Sequence, residues 1–125
     1  MIEPMRVTMI VMITLLPVAA ARADGDPARG EARFQECAAC HKLEPGVNEV
    51  GPSLHGIFMR KAAELADFRY SPAMKRSGIV WTAETLEKYI ADPQALIPAN
   101  RMPYAGMTNA SDRADLIAYL VKATK

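Results

Sequence analysis

Apolar residues between Asp24 and Lys125 recur at the spacing of helix turns, in short segments that begin at capping residues. Asp26 and Pro27 form the first such start, because an aspartate side chain accepts from free backbone N–H groups and proline suits the first helical position. The following stretch, ARGEARFQECAACH, contains no helix breaker except Gly30. We therefore expect a helix that begins at Pro27 and runs into the pair of cysteines.

The same signals predict up to four further helices, of which the longest are AETLEKYIA and RADLIAYLVKAT. Their expected capping residues are Ser71, Thr82, Asp92 and, for the last helix, either Ser111 or Asp112. The segments KLEPGVNEVGPSLHGIFMR and IPANRMPYAGMTN are rich in Gly, Pro and Asn and predict ordered loops. No alternating apolar pattern is long enough for a sheet. The predicted fold class is all-α, with three to five short helices and long loops.

The first 23 residues have the features of a cleavable secretory signal. Arg6 precedes an apolar run that ends in Ala21-Arg22-Ala23, a small-x-small pattern typical of signal peptidase sites. The run contains Pro17 and is shorter than the roughly 20 apolar residues of a membrane-spanning helix. We predict a signal peptide at 1–23, a single domain at 24–125, and export to the periplasm with cleavage before Asp24. An uncleaved membrane anchor is the competing interpretation.

Charge gives no sign of a nucleic-acid partner. The 125 residues carry a formal net charge of +1 and no run of like charges, whereas phosphate binding requires a basic face. A hydrophobic fraction of 50% excludes a disordered chain. Three to five short helices cannot bury a large core alone, so we expect the loops to wrap a large apolar cofactor.

The two cysteines, Cys37 and Cys40, occur as Cys37-Ala38-Ala39-Cys40-His41. A disulfide closing so short a loop gives little entropic stabilisation, and a thioredoxin-like dithiol normally follows a strand in a βαβ unit. A structural zinc site needs two more ligands, and the only other histidine is His55. The pattern C-x-x-C-H is instead typical of covalent haem attachment. We therefore predict one haem c, bound through Cys37 and Cys40, with His41 on the iron.

The sixth position of the iron decides between electron transfer and small-ligand chemistry, because a thioether or a second imidazole closes it. The candidate residues are Met59, Met74, Met102, Met107 and His55. Met102 is favoured, since it lies in IPANRMPYAG, a loop stiffened by prolines that can hold a weak donor in place. Met107 is the second choice, and a methionine filling the core is the ordinary alternative for Met59 and Met74.

Seven motifs in order resemble those of class I c-type cytochromes, the family of mitochondrial cytochrome c and bacterial cytochrome c2. They are GDPARGEARF, CAACH, GPSLHGIF, RYSPAMKRSGIVW, TLEKYI, IPANRMPYAG and DLIAYLVKAT. The resemblance implies the class I cytochrome c fold, with helices and loops wrapped around one covalently bound haem. It also implies a crossing of the first and last helices at Phe34, Leu116 and Tyr119, with Gly30 at the closest approach.

The resemblance further implies a set of haem contacts. His41 and Met102 would be the axial ligands, and the Pro52 carbonyl would accept a hydrogen bond from the proximal imidazole. Arg60, Tyr70 and Trp81 would hold a buried propionate, and the Tyr89 hydroxyl would lie near the methionine sulfur. Where the family usually has a threonine that bonds a propionate, this chain has Asn100, whose side chain could also donate to that group. The family usually has glycine at Met59, phenylalanine at Tyr104 and a polar asparagine at Met74. Lysines that ring the haem edge in mitochondrial members are replaced here by Glu36, Gln94 and Ala95, whereas Arg101 retains a basic side chain.

The implied function is that of a soluble periplasmic one-electron carrier, cycling haem Fe(III)/Fe(II) between respiratory or photosynthetic complexes, and not that of an enzyme. A bc-type complex is the implied donor, and an oxidase, a reductase or a reaction centre is the implied acceptor. We expect a monomer that contacts membrane complexes transiently. The alternatives are an electron-accepting partner or subunit of a periplasmic dehydrogenase, a small haem peroxidase, and a gas-binding cytochrome.

Overall fold

Five helices and the loops between them make up residues 24–125, the part of the chain that the computed structural model describes. The predicted signal segment, residues 1–23, lies outside the described residues. The helices are α1 (Pro27–Ala38), α2 (Pro72–Arg76), α3 (Ala83–Ala91), α4 (Pro93–Leu96) and α5 (Ala110–Ala123). Extended pairing within this range is limited to an antiparallel bridge between Lys61 and Val80. The all-α prediction is confirmed.

The predicted helix starts at Asp26, Ser71, Thr82 and Asp92 are confirmed, because each side chain accepts from backbone N–H groups of the helix it precedes. Thr82 forms a reciprocal capping box with Thr85, which stabilises the start of α3. Asp92 ends α3 and caps α4, so it fixes the corner between them. These caps are local interactions, which explains why the sequence predicted them.

The predicted start of α5 at Ser111 or Asp112 is wrong. The helix begins at Ala110, and its cap is Asn109, whose side chain accepts from the backbone N–H of Asp112 at 3.0 Å. Asn109 has an extended backbone (φ −77°, ψ 117°), whereas Ser111 and Asp112 already lie within the first turn. Asn, Ser and Asp are comparably good caps, so the residue with the extended backbone decides between them.

The crossing of α1 and α5 is the main helix–helix contact of the fold. Gly30 lies at this crossing, where a Cβ atom would collide with the backbone carbonyl of Asp115. The Phe34 and Tyr119 rings pack with centroids 5.4 Å apart, and Leu116 is fully buried. The expected crossing residues are therefore confirmed, and the crossing fixes the end of α1 that carries Cys37.

The buried core is formed by side chains of α1, α3 and α5 and of the intervening loops. Leu86, Ile90 and Leu120 belong to this core and also line the large cavity described below. The loops supply much of the remaining cavity wall, as expected for loops that wrap a cofactor. Within residues 24–125, no helix combines the length and apolarity needed to cross a membrane.

Candidate haem-binding site

A cavity of about 280 Å³ lies among the apolar residues of α3, α5 and three loops. Most of the predicted site residues converge on it, although they are distributed over more than sixty positions of sequence. Those that line it are Cys40, His41, Pro52, Arg60, Tyr70, Trp81, Tyr89 and Met102. Cys37 and Asn100 are not part of its wall, but each is adjacent in sequence to a residue that is, Glu36 and Arg101 respectively.

The two cysteines lie where α1 ends. The Cys37 carbonyl accepts from the backbone N–H groups of both Cys40, at 3.0 Å, and His41, at 2.9 Å. This turn carries the chain from the helix to the cavity wall within three residues. Both thiols are free and half-buried, and Cys37 packs against the apolar core. A dithiol in this position is available for attachment to a group that fills the cavity.

The chemistry of Cys37 disfavours a redox dithiol. Burial, with smaller contributions from Glu36 and Cys40, raises the pKa of the Cys37 thiol to about 11. Catalytic cysteines have a depressed pKa, because the thiolate is the nucleophile. The Cys37 thiol therefore lacks the depressed pKa of a thiol–disulfide exchange centre, whereas thioether attachment leaves no thiol to titrate.

The imidazole of His41 is held in one orientation. Its Nδ1 lies 2.7 Å from the carbonyl oxygen of Pro52, and since a carbonyl only accepts, Nδ1 carries the proton. Nε2 therefore keeps its lone pair, which is what a metal requires of a histidine ligand. Burial, with a smaller contribution from the charge of Arg60, lowers the pKa of His41, although the Pro52 hydrogen bond opposes this. The neutral imidazole is thus favoured.

Gly51 also shapes this wall and was not identified from the sequence. Gly51 is buried, and a Cβ atom at this position would collide with the imidazole ring of His41. Its backbone N–H donates to the Cys40 carbonyl at 2.9 Å, which joins the two sides of the loop. The only sequence signal for this role is the Gly51-Pro52 pair ten positions after His41, and a Gly-Pro pair usually indicates just a turn.

Of the sulfur and imidazole candidates for the second ligand, Met102 and Met74 line the cavity. Met107 is buried in the core, and its backbone N–H donates to Ile90 at 2.8 Å. Met59 is 73% exposed. His55 faces a second cavity, of about 190 Å³, that it shares with Arg60. The structure thus brings Met102 and His41 to one cavity and leaves Met107, Met59 and His55 away from it.

Asn100 braces the segment that carries Met102. Its side-chain nitrogen donates to the carbonyls of Pro93 and Ile97, both at 2.9 Å. Its side-chain oxygen accepts from the backbone N–H of Met102, also at 2.9 Å. Both amide hydrogens are therefore used within the protein, and the side chain does not reach the cavity wall. These contacts are all to backbone groups, and the donation to a haem propionate that the resemblance implies for Asn100 stays a prediction.

Arg60 supplies a buried cation at the cavity wall. Its guanidinium donates to the carbonyls of His55 and Ser53, both at 3.0 Å. No carboxylate within residues 24–125 forms a salt bridge with it, and burial lowers its pKa. A buried charge without a counter-ion is costly, so this wall fits a cofactor that brings a carboxylate of its own.

The aromatic residues at the cavity keep their polar hydrogens. Burial raises the pKa of Tyr70 and raises that of Tyr89 to about 12, so both hydroxyls stay protonated. The rings of Trp81 and Tyr89 pack with centroids 5.0 Å apart. The cavity therefore combines an apolar interior with fixed donors, next to two thiols, an imidazole and a thioether. This donor set fits a haem with covalent links and propionate groups.

Comparison with known proteins agrees with this chemistry. The family model for cytochrome c matches residues 27–124. Cytochrome c2 iso-2 of Magnetospirillum fulvum is 49% identical over 98 residues, covering 78% of this chain and 97% of the relative. Cytochrome c2 of Rhodoblastus acidophilus is 46% identical over 97 residues (77% and 91%), and that of Blastochloris viridis is 42% identical over 117 residues (93% and 92%). The chain belongs to the cytochrome c family of electron-transfer proteins and carries one covalent haem c.

Proposed function

We propose that the protein is a periplasmic one-electron carrier in which His41 and Met102 are the axial ligands of the haem iron. The observation that carries the proposal is that one cavity holds both an imidazole with a free Nε2 and a thioether 61 positions later. The bound haem supplies a reversible Fe(III)/Fe(II) couple. The protein's task is then to hold both ligands and exclude water, so that no substrate binds at the iron.

His41 contributes a ligand of fixed orientation and raised basicity. The Pro52 carbonyl accepts a hydrogen bond from the His41 Nδ1–H, with 2.7 Å between nitrogen and oxygen, and such bonds from a ligand histidine orient the ring and strengthen it as a metal ligand. The turn after α1 fixes His41 from the other side, since the backbone N–H groups of Cys40 and His41 both donate to the Cys37 carbonyl. The ligand is thereby positioned by two independent anchors.

Met102 must be positioned by its backbone, because a thioether is a weak donor. The Asn100 side chain accepts from the Met102 N–H, and the Met102 carbonyl accepts from the Tyr104 N–H, both at 2.9 Å. Pro103 directly after the methionine restricts its backbone further. These restraints reduce the conformational entropy that would be lost when the sulfur binds iron.

Arg60, Tyr70 and Trp81 are proposed to hold a haem propionate. They support this role as donors on one cavity wall, and the guanidinium is the buried cation described above. A carboxylate in this position would neutralise that charge and accept hydrogen bonds from the Tyr70 hydroxyl and the Trp81 N–H. Tyr89 is proposed to lie near the sulfur of Met102, since both residues line the same cavity.

The proposed location and partners rest on the signal-like leader, residues 1–23, and on the relatives named cytochrome c2. The proposed donor is a bc-type complex, and the proposed acceptor is an oxidase, a reductase or a photosynthetic reaction centre. The exposed residues at the cavity rim carry charges of both signs, negative at Glu36 and positive at Arg69 and Arg101. Weak charge steering follows, so the association rate should depend only weakly on ionic strength.

Three measurements on the purified holoprotein test this proposal. Intact mass reports both cleavage before Asp24 and the addition of one haem. A potentiometric titration should follow a single one-electron curve, and the reduced protein should not bind carbon monoxide at neutral pH. Ready binding of carbon monoxide to the reduced wild type would mean an open sixth position, and it would favour a peroxidase or a gas-binding cytochrome instead.

A further inference from the structure

Tyr104 and Glu36 form a hydrogen bond across 68 positions of sequence, at the wall of the haem cavity. The Tyr104 hydroxyl donates to a Glu36 carboxylate oxygen at 2.8 Å. Tyr104 follows Met102 by two residues, and Glu36 directly precedes Cys37 in the last turn of α1. Both side chains line the cavity. The contact therefore joins the segment of one proposed axial ligand to the helix that carries one attachment cysteine.

This bond differs in kind from the other restraints on the Met102 segment. Asn100 bonds to Pro93 and Ile97, which are seven and three residues away, so it stiffens the segment without fixing it to a distant part of the fold. Arg101 reaches the Tyr70 carbonyl only at 3.5 Å. Among the described hydrogen bonds of residues 101–106, the Tyr104–Glu36 bond, at 2.8 Å, is the short bond that joins this segment to a helix.

The strength of the Tyr104–Glu36 bond lies between that of a buried charged hydrogen bond and that of a fully exposed one. A hydroxyl that donates to a carboxylate forms a charge-assisted bond, which is stronger than a bond between neutral groups. The Glu36 side chain is 46% exposed, with Arg33 on the same helix at 3.9 Å, so solvent and this cation weaken the bond relative to a buried one.

We propose that the Tyr104–Glu36 hydrogen bond is a latch that holds the Met102 segment closed over the haem cavity and thereby sets how readily Met102 leaves the iron. Tyr104 and Glu36 are positioning residues in this account, because they act through Met102. The proposal rests on the proposed function, in which Met102 is the second ligand. Removing the bond should increase the fraction of molecules whose sixth position is accessible, without removing the ligand itself.

Imidazole binding to the oxidised holoprotein measures this opening, because imidazole competes with the methionine for the iron. Tyr104→Phe keeps the ring and removes the hydroxyl, and its imidazole affinity should rise about three- to tenfold, the effect of one net hydrogen bond. Glu36→Ala should give the same increase, and Glu36→Gln, which keeps an acceptor oxygen, should give a smaller one. The double variant Tyr104→Phe/Glu36→Ala should equal either single variant, because the bond can be lost only once.

Tyr119→Phe is the matched control, since it removes a tyrosine hydroxyl at the α1–α5 crossing, away from the cavity wall. Its imidazole affinity should equal that of the wild type. Wild-type affinity in both Tyr104→Phe and Glu36→Ala would overturn the latch, as would effects that add fully in the double variant. A residue with a merely structural role would lower the unfolding midpoint in denaturant and leave imidazole affinity unchanged.

The sulfur-to-iron absorption band of the oxidised wild type separates failure of the latch from failure of the proposed function. If that band is present and is lost in Met102→Ala, but Tyr104→Phe binds imidazole like the wild type, only the latch is wrong. If the wild type lacks the band, Met102 is not the ligand, and the latch falls with the proposed function.

Discussion

A single methyl group at Gly51 should destabilise the protein far more than the same group elsewhere on the surface loops. In Gly51→Ala, the new Cβ would collide with the His41 ring. A ring that shifts away from this Cβ would weaken its hydrogen bond to the Pro52 carbonyl, whose oxygen lies 2.7 Å from Nδ1. The substitution therefore tests directly whether packing fixes the orientation of the proposed ligand.

The expected size follows from two contributions. Inserting a methyl group into a well-packed site costs about 1–3 kcal/mol, and weakening one hydrogen bond costs about 1 kcal/mol. Together they predict that Gly51→Ala lowers the free energy of unfolding by about 2–4 kcal/mol. In a domain of about 100 residues, this corresponds to a fall in Tm of roughly 10–25 °C.

Thermal unfolding of the oxidised holoprotein, followed by circular dichroism, measures this loss. Gly46→Ala is the matched control: Gly46 has a φ of 72° and nothing lies within 4 Å of its would-be Cβ. That variant loses only the backbone preference, about 1 kcal/mol. A Tm of Gly51→Ala equal to or above that of Gly46→Ala would refute the packing account of His41.

Two further predictions concern the fold around the site. The pKa of Asp115 is lowered by its bonds to Arg29 and to the Asp26 N–H. Its stabilising contribution is therefore full above its unfolded pKa and is lost as pH falls through the folded pKa. In Asp115→Asn the free energy of unfolding should fall less steeply as the solution is acidified, and an unchanged slope would contradict this. Ala99 is exposed with a φ of 66°, whereas Ala32 is exposed within α1. Ala99→Gly should therefore stabilise the protein by about 0.5 kcal/mol, and Ala32→Gly should destabilise it by about 1 kcal/mol. Urea unfolding measures both changes, and shifts of the same sign would show that backbone conformation does not control them.

The parts of the fold that depend on neighbouring residues could be predicted from the sequence. Thr82 caps α3 through Thr85, three positions away, and Asp26 caps α1 through the next residues. The Cys37–His41 spacing likewise identified the covalent site, because one helix turn determines how thiols and imidazole are placed. Where several neighbours were equally good caps, as at Asn109, the sequence alone could not choose the first residue of α5.

The parts of the site that depend on contacts between distant segments could not be predicted. No local pattern pairs Tyr104 with Glu36, because that bond requires the loop to lie against α1. Pairing the His41 imidazole with the Gly51 backbone likewise requires the loop to fold back onto the turn after α1. The resemblance indicates which residues surround a cavity, whereas the hydrogen-bond partners follow from the packing of this particular chain.

The central claim is that His41 and Met102 close the two axial positions of one haem. The measurement that tests it most directly is the weak near-infrared sulfur-to-iron band of the oxidised holoprotein, recorded for the wild type and for three methionine variants. The account predicts the band in the wild type, in Met107→Ala and in Met74→Leu, and its loss in Met102→Ala. A wild type without the band, or a Met102→Ala protein that retains it, would contradict the account.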